Sequence, residues 1–265
     1  MGRLLELLPP LPGPALLAAL AVVFGAGIVR GFAGFGFSAL CVAGLSLFIP
    51  PAQVVPPVFV LEVLASLSLL RGAMKDVDAP WLGWLVLGNA LCIPLGVALL
   101  AVLPETPLRL LIAALLLLAA ALLRSGWSLA LRPSAGMRLL TGLVSGLVNG
   151  LAAIGGIAVA VLLSATTLPP AALRATMILL FLFTDLYALL WAGILPTGSG
   201  EALLGGDALR LALWLAPAML AGIVLGQRRF AGIEPQTFRR RVLDLLMLIA
   251  ALGVLRAGWA LAGAS

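Results

Sequence analysis

Long apolar runs separated by short polar or proline-rich joints fill almost the whole chain. They cover about 13 to 49, 52 to 70, 79 to 103, 107 to 131, 135 to 165, 169 to 195, 208 to 225 and 237 to 261. A helix across the ~30 Å apolar core of a bilayer needs about 20 such residues. The first and fifth runs are longer than that, and each is interrupted by closely spaced glycines. Prolines mark the joints: "IPPAQVVPP" follows the first run and "LPP" opens the sixth. Pro94 and Pro217 lie inside runs, where neighbouring helices can satisfy the carbonyls they free. The pattern predicts an all-α polytopic membrane protein.

The layout of four runs occurs twice. An offset of 119 residues superposes Gly27, Gly31, Ala33 and Gly36 on Gly146, Gly150, Ala152 and Gly155. It also brings Pro50, Pro51 and Ala52 onto Pro169, Pro170 and Ala171. The two interrupting motifs read "GIVRGFAGFGF" and "GLVNGLAAIGG". A constant offset over these positions predicts two membrane repeats, 1–132 and 133–265.

The interrupted runs can cross once as broken helices or dip in and return. If each crosses once, eight spans distribute seven cations to either face and give no orientation. If both re-enter as pairs of half-helices, Arg71, Lys75, Arg132, Arg138, Arg174, Arg228, Arg229 and Arg239 to Arg241 share one face. Arg3, Arg109, Arg210 and Arg256 then share the other. That ten-to-four division obeys the positive-inside rule. It leaves three full spans per repeat, so the repeats would be inverted, a recurring transporter design. Both termini would then face outward.

Composition supports the membrane assignment and narrows the function. Hydrophobic residues make up 63% of the 265 and charged residues 10%. Mean hydropathy is +1.22. No hydrophilic stretch is long enough for a soluble domain. The net charge of +6 comes with no aromatic-interleaved basic patch, so no nucleic-acid partner is expected. Histidine is absent, and no nucleophile–base pair or metal-ligand set stands out, so neither an enzyme nor a metal or cofactor is expected. No nucleotide-binding loop occurs. Cys41 and Cys92 lie in apolar runs and read as packing thiols. The opening "MGRLLELLPPLPGPALLAALAVVFGAG" has too weak a charged start to read as a cleaved leader.

The candidate chemistry sits where polarity is most costly. A charge at bilayer depth costs at least ~2.5 kcal/mol, and such residues are functional candidates by default. Arg30 lies inside the first glycine motif, and Asn149 corresponds to it under the offset. Glycines allow close backbone approach, and the start of a half-helix presents unpaired N–H groups at a positive dipole end. Two such starts would make an anion site. Its candidates are Arg30, Gly31, Gly34, Phe35 and Gly36 with Asn149, Gly150, Gly155 and Gly156. The competing reading of the glycines is close helix packing. Glu62 and Asp185 are acids deep in later runs, and Asp185 corresponds to Ser66, one turn beyond Glu62. Each is a candidate for proton coupling or a static partner of Arg30. Asp244, four residues after Arg240, reads as a helix ion pair. Thr176, Thr184, Tyr187, Ser38, Gln53 and Asn89 are weaker candidates to line a polar path.

At these residues the chain resembles the TauE/SafE sulfite exporter family, also called the toluene sulfonate uptake permeases. The resemblance rests on "GFAGFGF" followed by "IPPAQVVPP", on "GLVNGLAAIGG" followed by "LPP", and on the four-plus-four layout. It implies a multi-pass protein of the bacterial inner membrane that transports sulfite or organosulfonates. The second motif lacks the phenylalanine–glycine pair of the first, which leaves the substrate open. The expected function is secondary transport of a small sulfur-containing oxyanion, by preference export, with proton coupling as an option. The alternatives are a passive anion channel and a transporter of small organic carboxylates. The expected partners are that anion and membrane lipid, and a homodimer is left open.

Overall fold

The computed structural model describes residues 11–125, 134–164, 169–196, 200, 202–229 and 235–262. Among these, ten α-helices run α1 (Gly13–Ala33), α2 (Phe37–Leu45), α3 (Pro51–Ala73), α4 (Ala79–Val102), α5 (Glu105–Arg124), α6 (Ala135–Ala152), α7 (Gly155–Ser164), α8 (Pro170–Ile194), α9 (Gly206–Arg229) and α10 (Pro235–Ala262). The described residues contain no strand beyond one isolated bridge between Pro196 and Ala202. Eight of the helices are long and apolar enough to cross a membrane. The short ones are α2 and α7. Leu17, Leu91, Leu213 and Trp259 point outward, as the lipid-facing side of such a bundle requires.

Proline and glycine set the helix limits. Pro50 caps α3 with Pro51 in its first turn, and Pro169 and Pro170 do the same for α8. A proline there has the required φ and lacks an N–H that would have no partner anyway. Gly34 ends α1 at φ 81, and its amide bonds the Arg30 carbonyl. The second half makes the same turn with Ala153 at φ 57, bonded to the Asn149 carbonyl.

The interrupted segments are hairpins of unequal arms. A Cβ at Gly36 would stand 3.5 Å from Val29, and one at Gly44 would stand 2.9 Å from Val22. So α2 doubles back along α1, which is itself long enough to span. The second hairpin turns in the same way, since the Gly155 carbonyl accepts from Ser145 Oγ at 3.0 Å. The sequence left broken single crossings and pairs of half-helices both open. Instead, one long arm of 21 or 18 residues carries a short return helix of 9 or 10. The 46–50 joint thereby comes back to the end where α1 starts. There Arg109, at the start of α5, and Arg256, near the end of α10, donate to the Ser46 and Leu47 carbonyls.

Glycine contacts fix the helix directions. Gly88 meets Gly142 and Gly96 meets Gly150, so α4 and α6 run parallel. Gly27 meets Gly222 and Gly226 meets Ile28, so α1 and α9 also run parallel. An added Cβ at Gly96 would come 2.3 Å from the Leu147 carbonyl oxygen, so these backbones approach too closely for any side chain. Helices α5 and α10 are antiparallel: Arg124 bonds Asp244 at 2.8 Å, and Gly253 lies against Ala113. Asp244 therefore pairs across helices with Arg124 rather than with Arg240 on its own helix. The end of α3 lies beside the start of α8, where the Asp78 amide donates to Thr176 at 3.1 Å.

Arg71, Lys75, Arg124, Arg138, Arg174, Arg228, Arg240 and Arg241 gather toward one end of the bundle, and Arg109, Arg210 and Arg256 toward the other. Arg3 and Arg132 lie outside the described residues. Cys41 is buried and Cys92 half-buried, and both are free thiols.

Candidate functional site

The polar centre forms where the two hairpin turns meet α3 and α8. Arg30 ends α1 and is completely buried. Its Nη1 donates to the Gly34 carbonyl at 2.7 Å, and its Nη2 donates to Ser66 Oγ at 2.9 Å. The same Nη2 lies 3.2 Å from Glu62 Oε2. That pair is close in charge but lacks hydrogen-bond alignment, since Oε2 has no bonded partner. Arg30 Nε is also buried without one. The other carboxylate oxygen, Glu62 Oε1, accepts from the Ser38 amide at 3.1 Å. Ser38 is the second residue of α2, so Glu62 sits on the positive end of the short return helix.

The second half builds a counterpart without the cation. Asn149 ends α6 four residues before the turn at Ala153, as Arg30 ends α1 before Gly34. Its Nδ2 donates to Asp185 Oδ1 at 3.0 Å, and its Oδ1 accepts from the Gly155 amide at 3.3 Å. Arg30 and Ser66 are 36 residues apart, and so are Asn149 and Asp185. The 119 offset thus carries one hydrogen bond onto the other. Asp185 is buried and has no ion-pair partner among the described residues. Ser145 Oγ links the Asn89 amide oxygen to the Gly155 carbonyl behind it.

Phe181 joins the two halves. Its ring lies 4.6 Å from Arg30 Cζ on one side. A Cβ at Gly156 would come 2.1 Å from the same ring. The second motif therefore reaches Arg30 through an aromatic face, a contact favourable to a desolvated guanidinium. Phe181 occupies the position that Glu62 holds in the first half, since 62 and 181 differ by the same 119.

Arg30, Gly34, Asn149, Gly155, Gly156, Glu62 and Asp185 all belong to this centre. Gly31 and Gly150 pack against α9 and α4: an added Cβ would meet Ile223 O at 2.2 Å and Ile93 O at 2.4 Å. Phe35 and Gly36 line a small apolar crevice with Val29 and Phe238. Of the weaker candidates, Ser38 and Asn89 take part. Thr184 bonds the Phe181 carbonyl behind the ring, and Thr176 bonds Asp78 at the bundle end. Tyr187 stacks on Phe183 and meets Trp191 edge-on, all on α8. Gln53 is exposed at the start of α3.

Sequence reasoning missed Ser66 and Phe181 as site residues, and it counted Arg174 only toward orientation. Arg174 Nη2 donates to the Gly31 carbonyl at 3.1 Å, directly beside Arg30 in the chain. The constant 119 offset, applied to Glu62 itself, was the signal that could have found Phe181.

The sequence model of one protein family, described as sulfite exporter TauE/SafE, matches residues 19–254. No curated protein and no solved structure matches the chain.

Proposed function

The chain belongs to the TauE/SafE sulfite exporter family, and from that premise we propose that it moves a small sulfur-containing oxyanion, sulfite or an organosulfonate, by secondary transport at the bacterial inner membrane. Helix directions and the paired 36-residue hydrogen bonds favour two inverted repeats, 1–132 and 133–265, meeting at the Arg30 centre. The observation that carries this reading is that the centre already holds one anionic group, the Glu62 carboxylate. It lies against the Arg30 guanidinium and accepts from the Ser38 amide at the start of α2. Those donors, a planar fork and a helix start, are the ones that recognise a sulfonate or sulfite group.

The chemistry then follows from charge balance. With Glu62 ionised, the pair is neutral and the seat is full. A proton on Glu62 weakens its hold on Arg30, and an incoming anion restores neutrality. Anion binding and protonation therefore favour each other, as linkage requires. Asp185, held by Asn149, shapes the other half of the seat.

Counterflow in proteoliposomes tests the reading. Vesicles loaded with unlabelled sulfite should accumulate labelled sulfite transiently, and a panel of sulfonates should compete. Small carboxylates belong in the same panel, since the group that fills the seat, Glu62, is itself a carboxylate. Collapse of the gradient without counterflow would show a channel. Accumulation of carboxylates in preference to sulfite would overturn the substrate class.

A further inference from the structure

A cavity of about 300 Å³ lies away from the Arg30 centre, where α3 stops and α8 starts. Gly72 and Asp76 follow from the end of α3, Arg174 and Ile178 from the first turns of α8, and Gln227 from the end of α9. Arg174 is half-buried, and one amino group bonds the Gly31 carbonyl. The rest of its fork makes no bond to a described residue, and no carboxylate stands within ion-pair distance of it among them. Asp76 shares the wall but leaves that charge uncompensated. A half-buried guanidinium with unused donors on the wall of a cavity at the bundle end is fitted to hold an anion.

The opposite end of the bundle shows what the same positions look like when filled. Under the 119 offset, Arg174 corresponds to Val55 and Gly72 to Trp191. Val55 is fully buried there, as are Phe59, Ala188 and Ala192. The space kept by Arg174 and Gly72 at one end is occupied by side chains at the other.

We infer that this cavity is a receiving site for the transported oxyanion, which seats on the Arg174 fork and the Gln227 amide before it reaches Arg30. For its ligand class this rests on the transport reading above. The 300 Å³ volume is ample for a sulfite or a short sulfonate with its tail along Ile178. Arg174 also covers the way inward. Its methylenes lie against the Gly34 turn, where an added Cβ would stand 2.8 Å from Arg174 Cγ. An anion that takes over the fork draws it off the Gly31 carbonyl, next to Arg30, and opens that turn.

The test uses the purified full chain with Cys41→Ala and Cys92→Ala, and Gly72→Cys as the reporter. A Cβ at Gly72 meets nothing within 4 Å, so the variant disturbs no neighbour. The thiol should react faster with a sulfonate-bearing methanethiosulfonate than with its trimethylammonium analogue. Methanesulfonate should slow that reaction. Adding Arg174→Gln should reverse the reagent preference and weaken methanesulfonate protection roughly ten- to a hundredfold, the range for one charge-assisted hydrogen bond. Equal reagent rates, or protection unchanged by Arg174→Gln, would overturn the site. Counterflow of sulfite without such protection would leave the transport reading standing and remove this site. Arg174-dependent protection without counterflow would do the reverse.

Discussion

Glu62 and Asp185 look alike in the sequence, since each is a lone acid in an apolar helix. Their surroundings separate them. Glu62 lies against the Arg30 guanidinium and a helix start, whereas Asp185 is bonded by the neutral Asn149 amide. Glu62→Gln removes the group that competes with the anion. It should abolish the acceleration of uptake by an acidic exterior while sparing anion exchange. Asp185→Asn should keep that pH response and lower the rate through the seat's shape. Proteoliposome uptake across a pH series checks both, and a pH response unchanged in Glu62→Gln would end the coupling role. Arg30→Lys keeps the charge but loses the fork, so sulfite affinity should fall about ten- to a hundredfold, equivalent to roughly 1.5–3 kcal/mol. Titration of the purified variant reads this, and wild-type affinity would place Arg30 outside the site. The charged residues of the centre were legible because a charge in an apolar run stands out. Phe181 and Ser66 were not, because a phenylalanine or serine in such a run is ordinary until its neighbours are known.

At the level of elements, the two hairpin turns solve one problem with different residues. Both need a left-handed residue after the long arm. Gly34 adopts it freely, while Ala153 holds φ 57 at a steric cost of about 1–2 kcal/mol. Ala153→Gly should therefore stabilise the protein by about 1 kcal/mol, seen as a raised midpoint in denaturant unfolding in detergent. A lowered midpoint would show that the alanine methyl packs more usefully than the strain costs. The glycine rows that join α4 to α6 and α1 to α9 carry the opposite expectation. Gly96→Val would drive a side chain into the Leu147 carbonyl, where even a Cβ stands at 2.3 Å. It should sharply lower the yield of folded protein in the membrane, whereas Gly83→Val, with nothing within 4 Å, should not. Equal yields by fluorescence-detected size exclusion would mean that the two helices can separate. The glycines were visible in the sequence, but not their division of labour. Gly31 packs helices and Gly34 turns the chain, and only the identity of the opposing backbone distinguishes them.

Across the whole molecule, the return helices bring the chain back to the end it left, so the cations sort to one end. We place that end in the cytoplasm by the positive-inside rule. Cysteine at Arg240 should be inaccessible to an impermeant reagent in intact cells, and cysteine at Asp207, which is exposed at the other end, should label. The reverse pattern would invert the orientation, and labelling of both would break the hairpin topology. Hydropathy alone determined that this chain is a helical membrane protein, because span length and the prolines and glycines that bound the spans are local properties. The same local signal exposed Arg30, Glu62 and Asp185 through the cost of their charge. Tertiary structure alone decided that Glu62 rather than Asp185 pairs with Arg30, that Phe181 roofs it, and that Arg174 bonds the neighbouring Gly31 carbonyl from another helix. Those choices depend on which faces of α1, α3 and α8 meet, and the glycine rows that hold α1 to α9 and α6 to α4 fix how the two long arms are turned by letting backbones touch.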